Sequence, residues 1–173
     1  VSDAQPQPPA LIVVEHVLWT PGAEWDAAVD HVAARFARAS PIDVEAVRAT
    51  GSLRAQVAAL AAWSDAAGVD LDRELGRFLD EHLSMHVRPN PAVTRAVRAL
   101  ATTRPVHLAS ALPARAAEAI ARHAGCWRST AVLHAGLHED GALDDAVASV
   151  GASAVYAAPG ELRDPTASVL QLV

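Results

Sequence analysis

The sequence predicts an α/β fold: a parallel sheet flanked by helices, with a block of helices inserted after the first strand. Three observations predict it. Leu11-Ile12-Val13-Val14 is a β-branched run without polar alternation, as expected of a strand buried on both faces of a parallel sheet. From residue 91 onward helical and strand patterns alternate, the order that builds β-α-β units. Between these two regions, residues 22–88 carry helical periodicity and no strand pattern.

Residues 1–10, VSDAQPQPPA, are polar and proline-rich and read as a loose N-terminal arm. The first strand follows at 11–14. Val29, Val32, Ala33, Phe36 and Ala37 then recur at helical spacing. Ser40-Pro41, with Asp43 close behind, reads as a helix start, Ser40 capping and Pro41 in the first helical position. Leu53, Val57, Leu60 and Ser64 mark a helix that ends near Gly68. Leu71, Leu75, Phe78, Leu79, His82 and Leu83 mark another. Asn90-Pro91 opens a helix through Val93, Val97 and Leu100, and a second strand follows at 105–110. Pro113 to Ala124 is a helix closed by Gly125. A third strand is expected at 130–133, a short helix from Asp144 to Val150 ending at Gly151, a fourth strand at 152–157, and a candidate fifth at 168–173. The predicted organisation is an arm (1–10), a core (11–21 and 89–173) and a helical insertion (22–88).

Composition narrows the function classes. Of 173 residues, 51% are hydrophobic and 20% charged, too apolar for a disordered chain. A net charge of −6 argues against nucleic acid as a partner. No apolar run approaches the roughly 20 residues of a membrane span. Neither a basic-then-apolar leader nor a cysteine pair is visible, so a cytoplasmic location is the expectation. Cys126 stands alone and excludes an internal disulfide. Alanine fills nearly a quarter of the chain, which favours helix. All 14 basic residues are arginine, which excludes a Schiff-base lysine and a P-loop lysine.

A strand, an immediate helical insertion and then alternating units resembles the haloacid dehalogenase superfamily with a helical cap of the C1 type. The clearest stretch is 88–125, RPNPAVTRAVRALATTRPVHLASALPARAAEAIARHAG, which is similar to the family's passage from the cap exit through a core helix to the second-motif strand and its helix. The resemblance covers about residues 11–160 and implies a Rossmannoid core. It also implies four motifs at the carboxyl ends of neighbouring strands. These are an aspartate nucleophile, a second aspartate two residues later as general acid/base, a Ser/Thr with a Lys/Arg that hold the phosphoryl oxygens, and a late acidic pair that helps hold Mg²⁺.

This chain departs from that pattern. Glu15 stands at the nucleophile position with one methylene too many, which displaces an attacking oxygen by about an ångström. Val17 stands at the acid/base position and transfers no proton; His16 between them is a substitute proton carrier. Ser110 matches the strand-terminal Ser/Thr, with Ala111 beside it in the crevice. No lysine exists, and Arg128 reads as a solvated surface residue. The fourth strand runs into Ala158-Pro159-Gly160, so Pro159 replaces the first metal-binding aspartate, and Asp164 falls near the second. Asp144-Asp145 reads as the acidic start of a helix rather than a metal site. The Mg²⁺ site is therefore expected to be lost, and no other cofactor is implied.

The remaining candidates are weaker. His82 and His86 share a helix face, as zinc ligands can, but His82 falls on the apolar stripe and a packed histidine is expected, with Met85 beside it as core filling. His134 and His138 flank Gly136 after the third strand, bordering the crevice, with Glu139 or Asp140 as a further ligand if a metal binds. His107 reads as structural and Cys126 as a buried thiol without a basic partner. Trp19 and Trp25, just past the first strand, either pack the insertion onto the core or wall an organic ligand; Trp63 packs.

Three readings stay open. One is a binding or interaction module for a small molecule or protein, without Mg²⁺-dependent phosphatase chemistry. The second is a divergent hydrolase acting on a small metabolite through Glu15, His16 and Ser110. The third is a structural homodimer paired through alanine-rich helices.

Overall fold

The computed structural model describes residues 7–158. β1 (Ala10–Val13) is buried along its whole length. Four helices follow: α1 (Ala23–Phe36), α2 (Val44–Ala49), α3 (Leu53–Ala67) and α4 (Leu71–His86). α5 (Pro91–Ala101), β2 (Val106–Ala109) and α6 (Ala114–His123) come next. A 3₁₀ turn at Trp127–Ser129, β3 (Val132–His134), α7 (Ala142–Val150) and β4 (Ala154–Tyr156) complete the described chain.

The four strands form one parallel sheet in the order β3-β2-β1-β4, the α/β architecture the sequence predicts. Alternation along β1 divides the core in two. Ile12 and Val14 join Val106, Leu108 and the apolar faces of α1 and α3–α6. Leu11 and Val13 join Ala109, Val155 and Leu143 of α7 on the opposite face. The helical block and the sheet therefore share one continuous hydrophobic cluster. The closest approach is α4 on α6, where Gly76 leaves no room for a side chain: a Cβ there would lie 2.4 Å from Cβ of Arg115.

Most helix ends follow the sequence signals. Asn90 caps α5, its side chain accepting from the Ala92 amide at 2.9 Å. Ser52 and Asp70 cap α3 and α4 in the same way. Gly68 and Gly151 end their helices in the left-handed conformation.

Several expectations are corrected. Ser40-Pro41 does not start α2; Asp43 does, because its carboxylate reaches the Ala46 amide at 3.0 Å. Ser40 instead closes the turn after α1 and gives its carbonyl to the Trp63 indole at 3.3 Å. Met85 is not core filling but 64% exposed, since α4 turns its apolar stripe through Leu75, Leu79 and Leu83. The third strand begins at Val132 and the last helix at Ala142, Asp144 and Asp145 lying in its first turn. Cys126 is buried, which pushes its thiol up, but Arg98 lies near enough to oppose that shift. Residues 7–10 of the expected arm are held against the core: Arg104 donates to the Gln7 side chain, Ser153 N to Pro9 O, and Ala10 N to Pro105 O. Pro159, Asp164 and the candidate fifth strand lie outside the described residues.

Candidate functional site

The carboxyl ends of β1 and β2 bring three of the sequence candidates together. β1 leads directly into Val14 and Glu15. The chain then doubles back: the amides of Leu18 and Trp19 donate to Val14 O at 2.9 and 3.2 Å, and His16 N donates to Trp19 O at 2.6 Å. This turn needs His16 at φ 64°, a left-handed conformation unfavourable for a side chain of its size. Its effect is to send Glu15 inward and His16 outward. Glu15 is 4% exposed, whereas His16 is on the surface.

The Glu15 carboxylate closes on the turn after β2. Ser110 donates its hydroxyl to Glu15 Oε1, and the Ala111 amide donates to the same oxygen at 3.1 Å. Ser110 Oγ in turn accepts from the Leu112 amide at 3.1 Å. A hydroxyl and a backbone amide converging on one point form an anion nest. Here a carboxylate of the same chain fills it. Burial pushes the Glu15 carboxyl up, and the hydrogen bonds from Ser110 and the neighbouring amides only partly oppose that.

His134 does not face this nest. Its backbone carbonyl accepts from Ser110 N at 2.9 Å, while its ring turns to His107, Nδ1 of His107 lying 3.0 Å from Nε2 of His134. Trp19 is buried at 3% exposure and donates its indole N–H to Glu24 at 2.6 Å, so it is packed rather than a crevice wall. Trp25 donates to Gln56 at 2.7 Å and ties α1 to α3. Its edge lines a groove of about 340 Å³ with His16, Gly22, Asp26, Ser52 and Gln56. Glu15 and Ser110 do not line that groove.

His82 is packed as the sequence suggests, stacked on Phe78 with centroids 4.1 Å apart and its Nδ1 at 2.8 Å from Phe78 O. His138 lies 3.8 Å from Glu139. Among the described residues, no three His, Cys, Asp or Glu side chains gather as a metal would require. For Mg²⁺ the nest itself is a poor fit: its amide and hydroxyl hydrogens suit an anion, and the Val17 side chain offers no carboxylate.

Sequence reading missed Arg54. Its Nη1 donates to Leu137 O at 2.7 Å and joins α3 to the loop after β3. No spacing signal marks this contact, because its acceptor is a backbone carbonyl 83 residues away.

Solved structures similar to this chain include the following two. One is described as a beta-phosphoglucomutase from Thermotoga maritima, with 16% identity and a TM-score of 0.48 over 87% of this chain and 76% of that one. The other is a 2-haloacid dehalogenase from Pseudomonas syringae pv. Tomato DC3000, with 16% identity and a TM-score of 0.43 over 85% and 74%. No family model and no curated protein sequence matches. No described helix is long and apolar enough to cross a membrane.

Proposed function

We propose that this chain is a haloacid-dehalogenase-like protein without Mg²⁺-dependent phosphoryl transfer, acting as a binding module. The observation that carries this reading is the Glu15 carboxylate seated in the Ser110–Ala111 nest. In the resemblance, a serine at this position holds a phosphoryl oxygen. A carboxyl group already seated there occupies the donors that a phosphate would need. Its burial and its hydrogen bonds hold it on the Ser110 turn. His16, the substitute proton carrier, points to the opposite side of the loop, into the open groove. That groove, rather than the nest, is the surface offered to a small-molecule or protein ligand.

The test is phosphate release from an aryl phosphate with Mg²⁺, run on the wild type and Glu15→Ala, beside calorimetric titration of both with inorganic phosphate. Neither protein turns over. Glu15→Ala gains phosphate affinity by about tenfold or more, since the side chain that occupies the Ser110 and Ala111 donors is gone. Mg²⁺-dependent turnover in the wild type that vanishes in Glu15→Ala would overturn the reading and make Glu15 a nucleophile.

A further inference from the structure

β3 is three residues long and lies at an edge of the sheet, so few ladder hydrogen bonds hold it. A pair of imidazoles adds to them. His107 pairs in register with Val132, and Ala109 with His134, so the two histidines lie diagonally across β2 and β3 on one face. Their nitrogens are 3.0 Å apart, their ring centroids 5.3 Å, and their planes differ by 24°. Two imidazoles that meet nitrogen to nitrogen in nearly one plane share a proton: one nitrogen donates and the other accepts. A metal bound by both would need their lone pairs to converge on a third point instead.

The pair is wired to the turn that holds Glu15. His134 O accepts from Ser110 N at 2.9 Å, Gly136 N donates to Leu112 O at 2.8 Å, and Leu137 N donates to Ser110 O at 2.9 Å. Arg54 of α3 then donates to Leu137 O. The end of β3, the Ser110 turn and the start of α3 therefore form one hydrogen-bonded unit.

We propose that the His107–His134 pair is an acid-sensitive clasp: while one facing nitrogen donates to the other, in the neutral or singly charged pair, it holds the end of β3 and the Ser110 turn, and protonation of both rings opens both. With both rings protonated, N–H faces N–H and two cations stand at contact distance. Burial, and then the charge of His134, hold His107 below the ordinary imidazole range, so the singly protonated or neutral pair is the one the fold favours. β1 contributes only Leu11 and Val13 to this face of the sheet. The loop after β3 and the first turn of α7 bring His138, Glu139, Asp140, Asp144 and Asp145. His138 stands beside Glu139, and Asp140 and Asp144 are themselves in contacts. The clasp acts on the position of the Ser110 turn and does not depend on whether Glu15 blocks catalysis.

Hydrogen exchange on the whole chain tests it. Protection at the amides of Ser110, Gly136 and Leu137, corrected for intrinsic exchange, falls about tenfold or more between pH 7.5 and 5 in the wild type, as local opening linked to protonation of the pair predicts. In His107→Gln, whose amide keeps a hydrogen bond but takes no proton, that fall is absent. In Glu15→Ala it persists, which separates the clasp from the titration of Glu15. Imidazole ¹⁵N spectra of the wild type add a readout free of substitutions: the His107 ring keeps its uncharged form to lower pH than an ordinary imidazole, and its signals report the nitrogen-to-nitrogen hydrogen bond. The proposal is overturned if His107 titrates as an ordinary imidazole with no sign of the hydrogen bond between the rings, if protection at these amides is indifferent to pH, or if Glu15→Ala rather than His107→Gln removes the effect.

Discussion

At the scale of single residues, Glu15 sets the character of the site. A carboxyl group that is 4% exposed gains hydrogen bonds from Ser110 and Ala111 yet loses water. The balance lies with desolvation, because its pKa is raised above the ordinary 4.5. The folded state therefore binds the Glu15 proton more tightly than the unfolded chain. That contribution to stability is fully present below pH 4.5 and is lost as pH rises through the raised value. Glu15→Ala removes it together with the packing of the side chain. The stability gap between wild type and variant is thus widest in acid and narrows toward neutral pH. Urea unfolding of both proteins across pH 4 to 8 measures this; a gap that widens with pH would show that Glu15 is stabilised as the carboxylate. The position of Glu15 was legible from the sequence, because a strand ending in an acidic residue is a local pattern. Its partner was legible too, as Ser110 ends the neighbouring strand. That the carboxyl group would turn onto Ser110 and Ala111 was not legible, since it depends on His16 taking a left-handed conformation, which is uncommon for any residue but glycine.

At the scale of elements, the helices rest on caps and on one close contact. α4 and α6 approach so closely that Gly76 must lack a side chain, with Arg115 Cβ at 2.4 Å from where a Cβ would stand and backbone at 3.1 Å. Gly76→Ala gains about 1 kcal/mol of helix propensity but forces the two helices apart, an overpacking cost of about 1–3 kcal/mol. The expected outcome is a net fall in thermal midpoint, read by circular dichroism; a rise would mean that α6 moves aside freely. Element order was recoverable from the sequence because period and punctuation are local. Val93 and Val97 show the helical period, and Asn90-Pro91 and Gly68 mark ends whose chemistry acts within a few residues. Errors arose where two local signals competed. Ser40-Pro41 and Asp43 both fit a helix start, and the aspartate prevails because its carboxylate is the one that meets a free first-turn amide. Met85 misled because a single apolar residue at the end of an amphipathic helix carries no phase information of its own.

At the scale of the whole molecule, the helical block does not hang from the sheet as a separate body. One hydrophobic cluster runs from Ile12 and Leu108 of the sheet through Trp25, Leu60 and Leu79 of the block to Ile120 of α6. Glu74, buried between α1 and α4, is held by Arg35 at 3.0 Å and Arg73 at 3.1 Å, so the block is tied internally by charge as well as by packing. Arg54 adds a tie on the far side, from α3 to the loop after β3. A chain with so much shared core should unfold in one transition rather than two. Trp19, Trp25 and Trp63 lie before β2, while Trp127 lies between α6 and β3, so indole fluorescence samples both parts of the chain. Urea curves from fluorescence and from far-ultraviolet circular dichroism are expected to coincide. Arg54→Ala lowers the midpoint of both by the same amount, corresponding to about 1.5–3 kcal/mol for one hydrogen bond from a charged donor, and leaves the slope unchanged. If Arg54→Ala instead splits the curves into two steps, the helical block is an independent unit and the Arg54–Leu137 bond is the latch that couples it to the sheet. The coincident outcome makes the helical block and the sheet one cooperative folding unit, so the groove beside His16 is lost only when the whole chain unfolds.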